Sequence, residues 1–93
     1  MATTFTKQFI MNIPEGKYGY FSAAGEAKMA EMTSTGDIIS FEIVNVSPTQ
    51  KKHIRVFRNK ECYDAWISWF QSNLAADFNS YNTNNGITLS NIE

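Results

Sequence analysis

The stretch DIISFEIVNV, residues 37–46, decides the fold class of this 93-residue chain. β-Branched and aromatic side chains dominate it, and such side chains favour an extended strand. Because side chains alternate along a strand, apolar groups fall on both faces: Ile39, Phe41 and Ile43 on one, and Ile38, Val44 and Val46 on the other. Apolar groups on both faces are typical of a strand that is covered on both sides, so we predict a central strand here.

A turn, a second strand and a helix follow directly. The turn SPTQKK leads into HIRVF, residues 53–57, where Ile54 and Val56 share one face. Asn59 is a typical N-cap, and Glu61 falls near the positive end of the helix dipole. The sequence of residues 60–78 then predicts one long helix with a buried stripe at helical spacing. The stripe consists of Tyr63, Trp66, Ile67, Phe70 and Leu74, and it leaves Cys62 and Trp69 on a flank.

The chain before this stretch predicts a β-hairpin. Residues 5–13 form its first strand, and Pro14 and Gly16 make a turn because they fix or free the backbone φ angle. KYGYFSA, residues 17–23, forms the second strand. Residues 26–32 are rich in helix formers, which favours two turns of helix. We nevertheless expect a strand there, because a strong neighbouring strand with a hairpin-like turn can override local propensity.

The C-terminal part predicts an Asn-rich, flexible tail from about residue 79. NNG is a turn signal, and ITLS is expected to add a short edge strand. Together these elements predict an α+β fold: an antiparallel sheet of about four strands with one long C-terminal amphipathic helix packed on one face. Residues 1–93 are expected to form a single domain.

Composition and charge exclude several classes of protein. The formal net charge of −1 provides no overall field that attracts polyanions or membranes. One cysteine cannot form an intramolecular disulfide, which favours a reducing compartment. No stretch resembles the apolar block of a signal peptide or approaches the about 20 apolar residues of a membrane span. We therefore expect a soluble protein of the cytosol that does not contact membranes.

The chain supplies few groups for catalysis. One histidine and one cysteine fall short of the three or four ligands of common metal sites. His53 and Cys62 could be written as a base and a nucleophile, but no third group marks them as a catalytic pair. The glycines fit no phosphate-binding loop. We expect no enzymatic activity and no cofactor or metal.

The basic residues are clustered, and this gives the first candidate interface. Five of the eight lysines and arginines fall within residues 51–60, which indicates either a solvated edge strand or a binding surface. Trp69 lies off the buried stripe, and Trp and Arg are enriched at interface hot spots. The predicted partner-binding residues are Trp69, Arg55, Arg58, Lys60, Lys51 and Lys52.

A second candidate site lies in GKYGYFSA. This segment spans residues 16–23 and, over residues 17–23, resembles the strands of cold-shock and RNA-recognition domains, in which aromatics on one sheet face stack on bases. The resemblance implies that Tyr18 and Tyr20 share such a face and stack on single-stranded nucleic acid, with Lys17 on the opposite face of the strand. The other interpretation is that both tyrosines pack under the helix as core.

A longer segment carries another resemblance. EIVNVSPTQKKHIRVFRNKECYDAWI, residues 42–67, resembles the strand–turn–strand–helix unit of small phage-encoded anti-CRISPR proteins that bind type I surveillance complexes. The resemblance implies a phage-encoded, non-catalytic protein that sterically inhibits a host protein or ribonucleoprotein complex handling nucleic acid. Single-stranded nucleic-acid binding is the alternative function. A homodimer formed through exposed strands or the Trp69 flank is a third expectation.

Overall fold

The computed structural model describes residues 3–93, which form a four-stranded antiparallel sheet with three helices on one face. The elements in chain order are β1 (Phe5–Asn12), α1 (Ala23–Thr35), β2 (Ile38–Ser47), β3 (Gln50–Phe57), α2 (Lys60–Asn73), α3 (Ala75–Asn85) and β4 (Thr88–Ser90). The strand order across the sheet is β2-β3-β1-β4. The predicted α+β class and the four-stranded antiparallel sheet are confirmed.

The predicted N-terminal hairpin is wrong, although its turn is present. The Lys17 amide donates to the Pro14 carbonyl at 3.0 Å, and Gly16 takes the positive φ of 82° that the turn requires. Residues 17–22 then run on without regular structure. They cannot join β1 because β3 and β4 already occupy its two sides.

The strand expected over residues 26–32 is also wrong, because this segment lies inside α1. Ser22 caps the helix: its hydroxyl accepts a hydrogen bond from the Gly25 amide at 3.1 Å. Gly36 ends the helix in the left-handed conformation, with φ of 84°. The helix formers of this segment therefore follow their local propensity.

β2 is an outer strand, so the prediction that it is central is wrong. The central positions belong to β3 and β1, and the basic cluster therefore does not lie on an edge strand as one interpretation held. Two irregularities interrupt the pairing of β2 with β3, one between Ile38 and Ser40 and one between Asn45 and Ser47. Residues 40–45 pair regularly between them.

The single long helix is replaced by two helices that meet at Leu74. The Asn73 side-chain amide donates to the Trp69 carbonyl at 2.8 Å and so competes with the helical backbone pattern. Leu74 leaves the helical conformation, with φ of −126°, and its side chain is buried. The Asn-rich loop is wrong as well, because α3 continues to Asn85. The NNG turn, at Gly86, and the short edge strand β4 are confirmed.

The two C-terminal helices cover different parts of the sheet. Beneath α2 lies a first buried cluster, which consists of Met32, Ile38, Phe57, Cys62 and Trp66. Phe78 and Tyr81 of α3 pack on a second cluster, which consists of Met11, Ile13 and Ile87. The predicted helix stripe thus contributes to the core, and Cys62, expected on the flank, is buried with it.

Candidate partner-binding surface

A row of exposed apolar side chains follows the outer strand β2. Its residues are exposed along almost the whole strand. The exposed fractions of its exposed apolar residues range from 37% at Phe41 to 52% at Ile39. We use the name β2 edge for the five exposed apolar side chains of this strand: Ile39, Phe41, Ile43, Val44 and Val46. Burial is favourable for groups of this kind, so their exposure along one outer strand marks a candidate interaction surface.

The β2 edge lacks the features that usually protect outer strands. Proteins block such strands with lysine, proline, short length or a covering loop. β2 is ten residues long, contains neither lysine nor proline, and carries a single charge at Glu42. Its irregularities lie near the two ends and leave residues 40–45 regular. This segment can therefore accept another strand.

Cations of β3 lie beside the apolar groups of this strand. Phe41 pairs with Arg55, and Ile43 pairs with His53, on the face that carries the helices. On the open face of the sheet, Val44 pairs with Lys52. A strand docked here would meet apolar groups with positive charge next to them.

Arg55 lies against the helices rather than at the surface. Its guanidinium carbon is 4.8 Å from the Phe41 ring centroid and 5.0 Å from that of Trp66, which are cation–π contacts. Its Nη2 donates weakly to the sulfur of Met29 at 3.8 Å. Burial lowers the pKa of Arg55 to about 10, although Glu26 acts in the opposite direction. Arg55 is therefore still cationic at neutral pH.

His53 is enclosed by aromatic rings and cations. It stacks on Phe9 with ring centroids 5.0 Å apart. Burial lowers its pKa to about 4, and the positive charges of Arg55 and Lys51 add to this effect. No hydrogen bond joins His53 to Cys62 in the described part of the chain, where the Cys62 sulfur instead accepts from Arg58 Nη2 at 3.6 Å. The arrangement gives no base–nucleophile contact.

The remaining predicted cations do not converge on one surface. Arg58 Nη2 forms an ion pair with Asp37 at 2.8 Å, and Lys60 pairs with Asp64 at 3.1 Å within α2. Lys51 and Lys52 are neighbours on β3, so their side chains point to opposite faces of the sheet. Of the six predicted partner-binding residues, three lie on β3 directly opposite residues of β2: Lys51, Lys52 and Arg55.

Trp69 is covered by α1 rather than by the C-terminal segment. It is half-buried and stacks on Trp66 with ring centroids 5.7 Å apart. Lys28 of α1 places its ammonium 5.9 Å from the Trp69 ring centroid. The ring packs against the first cluster.

The three residues of the nucleic-acid alternative lie on the irregular segment. The Tyr18 side chain is 81% exposed, and its carbonyl accepts from the Tyr81 hydroxyl at 2.7 Å. The Tyr20 ring packs edge-on against Phe78 and Tyr81 of α3. Lys17 is exposed. The predicted shared strand face for the two tyrosines is wrong, because the segment is not a strand.

Two classes of site find no support in residues 3–93. No group of three or more His, Cys, Asp or Glu side chains is placed to hold a metal ion. No helix in that range is long and apolar enough to cross a membrane.

The β2 edge itself was missed by the sequence analysis. Apolar groups on both faces are typical of a central strand, yet the same pattern arises in an outer strand that receives another strand. The absence of lysine and proline from β2 was the signal that could have separated charge-protected edges from this one. Comparison with known protein families, curated proteins and solved structures gives no match to this chain.

Proposed function

We propose that this protein is a non-catalytic binding module that pairs β2 with an extended segment of a partner protein. The observation that carries the proposal is a ten-residue outer strand with exposed apolar side chains and no lysine or proline. Adding a strand to an open sheet edge is a common mode of peptide recognition, in which backbone hydrogen bonds supply affinity and alternate side chains supply specificity.

The surroundings of β2 define the chemistry of the partner segment. Phe41 and Ile43 on one face, and Val44 on the other, favour apolar side chains in the docked strand. Lys51 and Lys52 lie one strand away and favour acidic side chains beside the apolar ones. The partner segment is therefore an extended stretch of apolar and acidic residues.

Occupation of such a segment would inhibit the partner by steric exclusion. The anti-CRISPR resemblance over residues 42–67 covers the second part of β2, from Glu42 onward, together with β3 and the first half of α2. It supports a phage-encoded inhibitor that acts in the host cytosol on a complex that handles nucleic acid. In this proposal Trp69 and the neighbouring cations contribute secondary contacts around the paired strand.

The direct test measures binding of the purified protein to a purified type I CRISPR surveillance complex. Ile43→Lys places a positive charge in the middle of β2. Thr88→Lys introduces the same charge on β4 and is the matched control. We expect Ile43→Lys to weaken binding by at least about tenfold and Thr88→Lys to leave it unchanged. Equal affinity of all three proteins would contradict the proposed surface. Absence of a complex with the wild-type protein would contradict the proposed partner.

Two further measurements separate the alternatives. Sedimentation of the protein alone over a concentration series detects a homodimer through β2, which Ile43→Lys would dissociate and Thr88→Lys would not. Anisotropy of labelled oligo-dT and oligo-U at about 50 and about 200 mM salt tests the nucleic-acid alternative. Salt-sensitive oligonucleotide binding that is lost in Tyr18→Ala/Tyr20→Ala would replace the protein-binding proposal as the main function.

A further inference from the structure

An apolar, partly open cavity of about 280 Å³ lies between the sheet and the helices. Its walls come from both layers and are mostly aromatic and aliphatic, with Phe9 and Leu89 on the sheet side and Met29, Trp66 and Phe70 on the helix side. The volume is close to the lower end of the about 300–1000 Å³ typical of small-molecule sites. A compact apolar ligand fits such a space.

Besides Tyr20 and Tyr63, four ionisable side chains of different character line this cavity. Lys7 and Arg55 are cationic, Glu26 is acidic, and His53 is neutral near pH 7 because burial and nearby cations lower its pKa to about 4. The formal charge of the lining is therefore positive. This balance favours an anionic ligand over a neutral or cationic one.

Within residues 3–93, Arg55 forms no ion pair, although the Glu26 carboxylate, which also lines the cavity, favours the charged form of Arg55. Its Nε is buried without a hydrogen-bond partner, and the same holds for His53 Nδ1. Its other contacts are the Phe41 and Trp66 rings and the Met29 sulfur. Burial of a charge without an anion is costly, so the site retains capacity to bind one.

We propose that this cavity binds a small amphipathic carboxylate, with the carboxylate on Arg55 and the apolar body among Met29, Trp66 and Leu89. Arginine matches a carboxylate through parallel N–H donors, and the match gains strength where water is excluded. Phe41 of the β2 edge also contacts Arg55, but the inference does not depend on the proposed function.

Decanoate, kept below its micelle concentration, is the probe, and 1-decanol and inorganic phosphate are its matched controls. Calorimetry gives the affinities, and the methyl NMR signals of Met29 and Leu89 report the place of binding. We expect decanoate to bind at least about tenfold more tightly than decanol, and phosphate not to bind. Three results with the wild-type protein would each overturn the proposal. They are equal affinities for decanoate and decanol, no binding of decanoate, and NMR shifts confined to methyl groups other than those of Met29 and Leu89.

Variants then test the role of Arg55. Arg55→Gln should remove the preference for decanoate over decanol, while Arg55→Lys should keep part of it because the positive charge remains. Lys28→Gln removes a cation of α1 outside the cavity lining and should leave both affinities unchanged. A folded Arg55→Gln protein that keeps the full preference for decanoate would also overturn the proposal.

Discussion

The two outer strands of this sheet differ in length, chemistry and cover. β2 has ten residues and a row of exposed apolar side chains, whereas β4 has three residues, TLS, of which only Thr88 is exposed. Beyond β4, Glu93 continues to cover β1: its amide donates to the Gln8 carbonyl at 2.8 Å, and its carboxylate accepts from the Gln8 side chain at 2.7 Å. One side of the sheet thus ends in a short strand with one exposed residue, and the other side ends in a long strand with exposed apolar side chains.

The support beneath the two outer strands differs as well. Ile38, at the beginning of β2, is buried in the first cluster with Phe57 and Trp66, but the helices do not bury the rest of β2. Leu89 of β4 packs against the second cluster under α3. The difference shows that an apolar strand can be anchored at one end by the core and still present most of its length to a partner.

The largest expected effect on this comparison comes from Phe57→Ala. Phe57 is fully buried and anchors the root of β2 through its pairing with Ile38. Its truncation leaves a cavity and should lower the unfolding free energy by about 3–5 kcal/mol. Urea denaturation measures this change, with Ile39→Ala on exposed β2 as a control that should stay within about 0.5 kcal/mol. A similar decrease in unfolding free energy in both variants would contradict the view that β2 is held to the core only at its buried first residue.

The second prediction concerns pH. The pKa of His53 falls from 6.5 in the unfolded chain to about 4 in the folded one, chiefly through burial and then through Arg55 and Lys51. Between these values the unfolded chain binds more protons, so stability should fall as pH drops from 6.5 towards 4. His53→Gln should flatten this fall, as measured by urea denaturation over a pH series. If the unfolding free energy of the variant depended on pH as steeply as that of the wild type, the lowered pKa of His53 would not be the cause of the fall.

A smaller effect is expected from the ion pair at the start of β2. Asp37→Asn removes the 2.8 Å contact with Arg58, in which both side chains are partly exposed. The loss should be at most about 1 kcal/mol and should shrink at high salt. Asp64→Asn, which breaks the exposed Lys60 pair on α2, is the matched control for an ordinary surface contact. If Asp37→Asn lowered the unfolding free energy by more than about 2 kcal/mol, this ion pair, and not the buried pair of Ile38 and Phe57, would hold the start of β2 in place.

The smallest effect on stability is expected where the effect on association is greatest. Ile43→Lys and Thr88→Lys replace exposed side chains on the two outer strands and should each change stability by no more than about 0.5 kcal/mol. Light scattering of concentrated samples should nevertheless show less self-association for Ile43→Lys only, because a lysine blocks pairing of an open strand. Equal reduction by Thr88→Lys would remove the distinction between the two sides.

The regular parts of the fold were predictable because their local signals agree with their environment. The alternating polarity of HIRVF, the Asn59 cap and the Pro14–Gly16 turn all appear as predicted. The capping oxygen of Asn59 accepts from the Cys62 amide at 2.9 Å. In each case the residues act over a few positions, so no distant contact was needed to interpret them.

Where sequence interpretation failed, the deciding contacts lie far apart in the chain. The order of strands depends on β1 pairing with β3 and β4, and that pairing excludes a strand at Tyr18 and Tyr20. The helix joint at Leu74 has neither proline nor glycine to indicate it, and its side chain lies close to Gly25, 49 positions earlier. Asn-rich α3 is stabilised by Phe78 and Tyr81 on the second cluster, against weak local propensity. The location of Arg55 in the cavity likewise depends on α1 and α2 folding over β3.

Burial of the single cysteine makes this protein convenient for site-specific labelling. Cys62 is 7% exposed inside the first cluster, so it should react slowly with thiol reagents in the folded protein. A cysteine introduced at exposed Val46 would then be the fast-reacting thiol without any need to remove the native one. A fluorophore or spin label on that residue would report directly on what approaches the open side of the sheet.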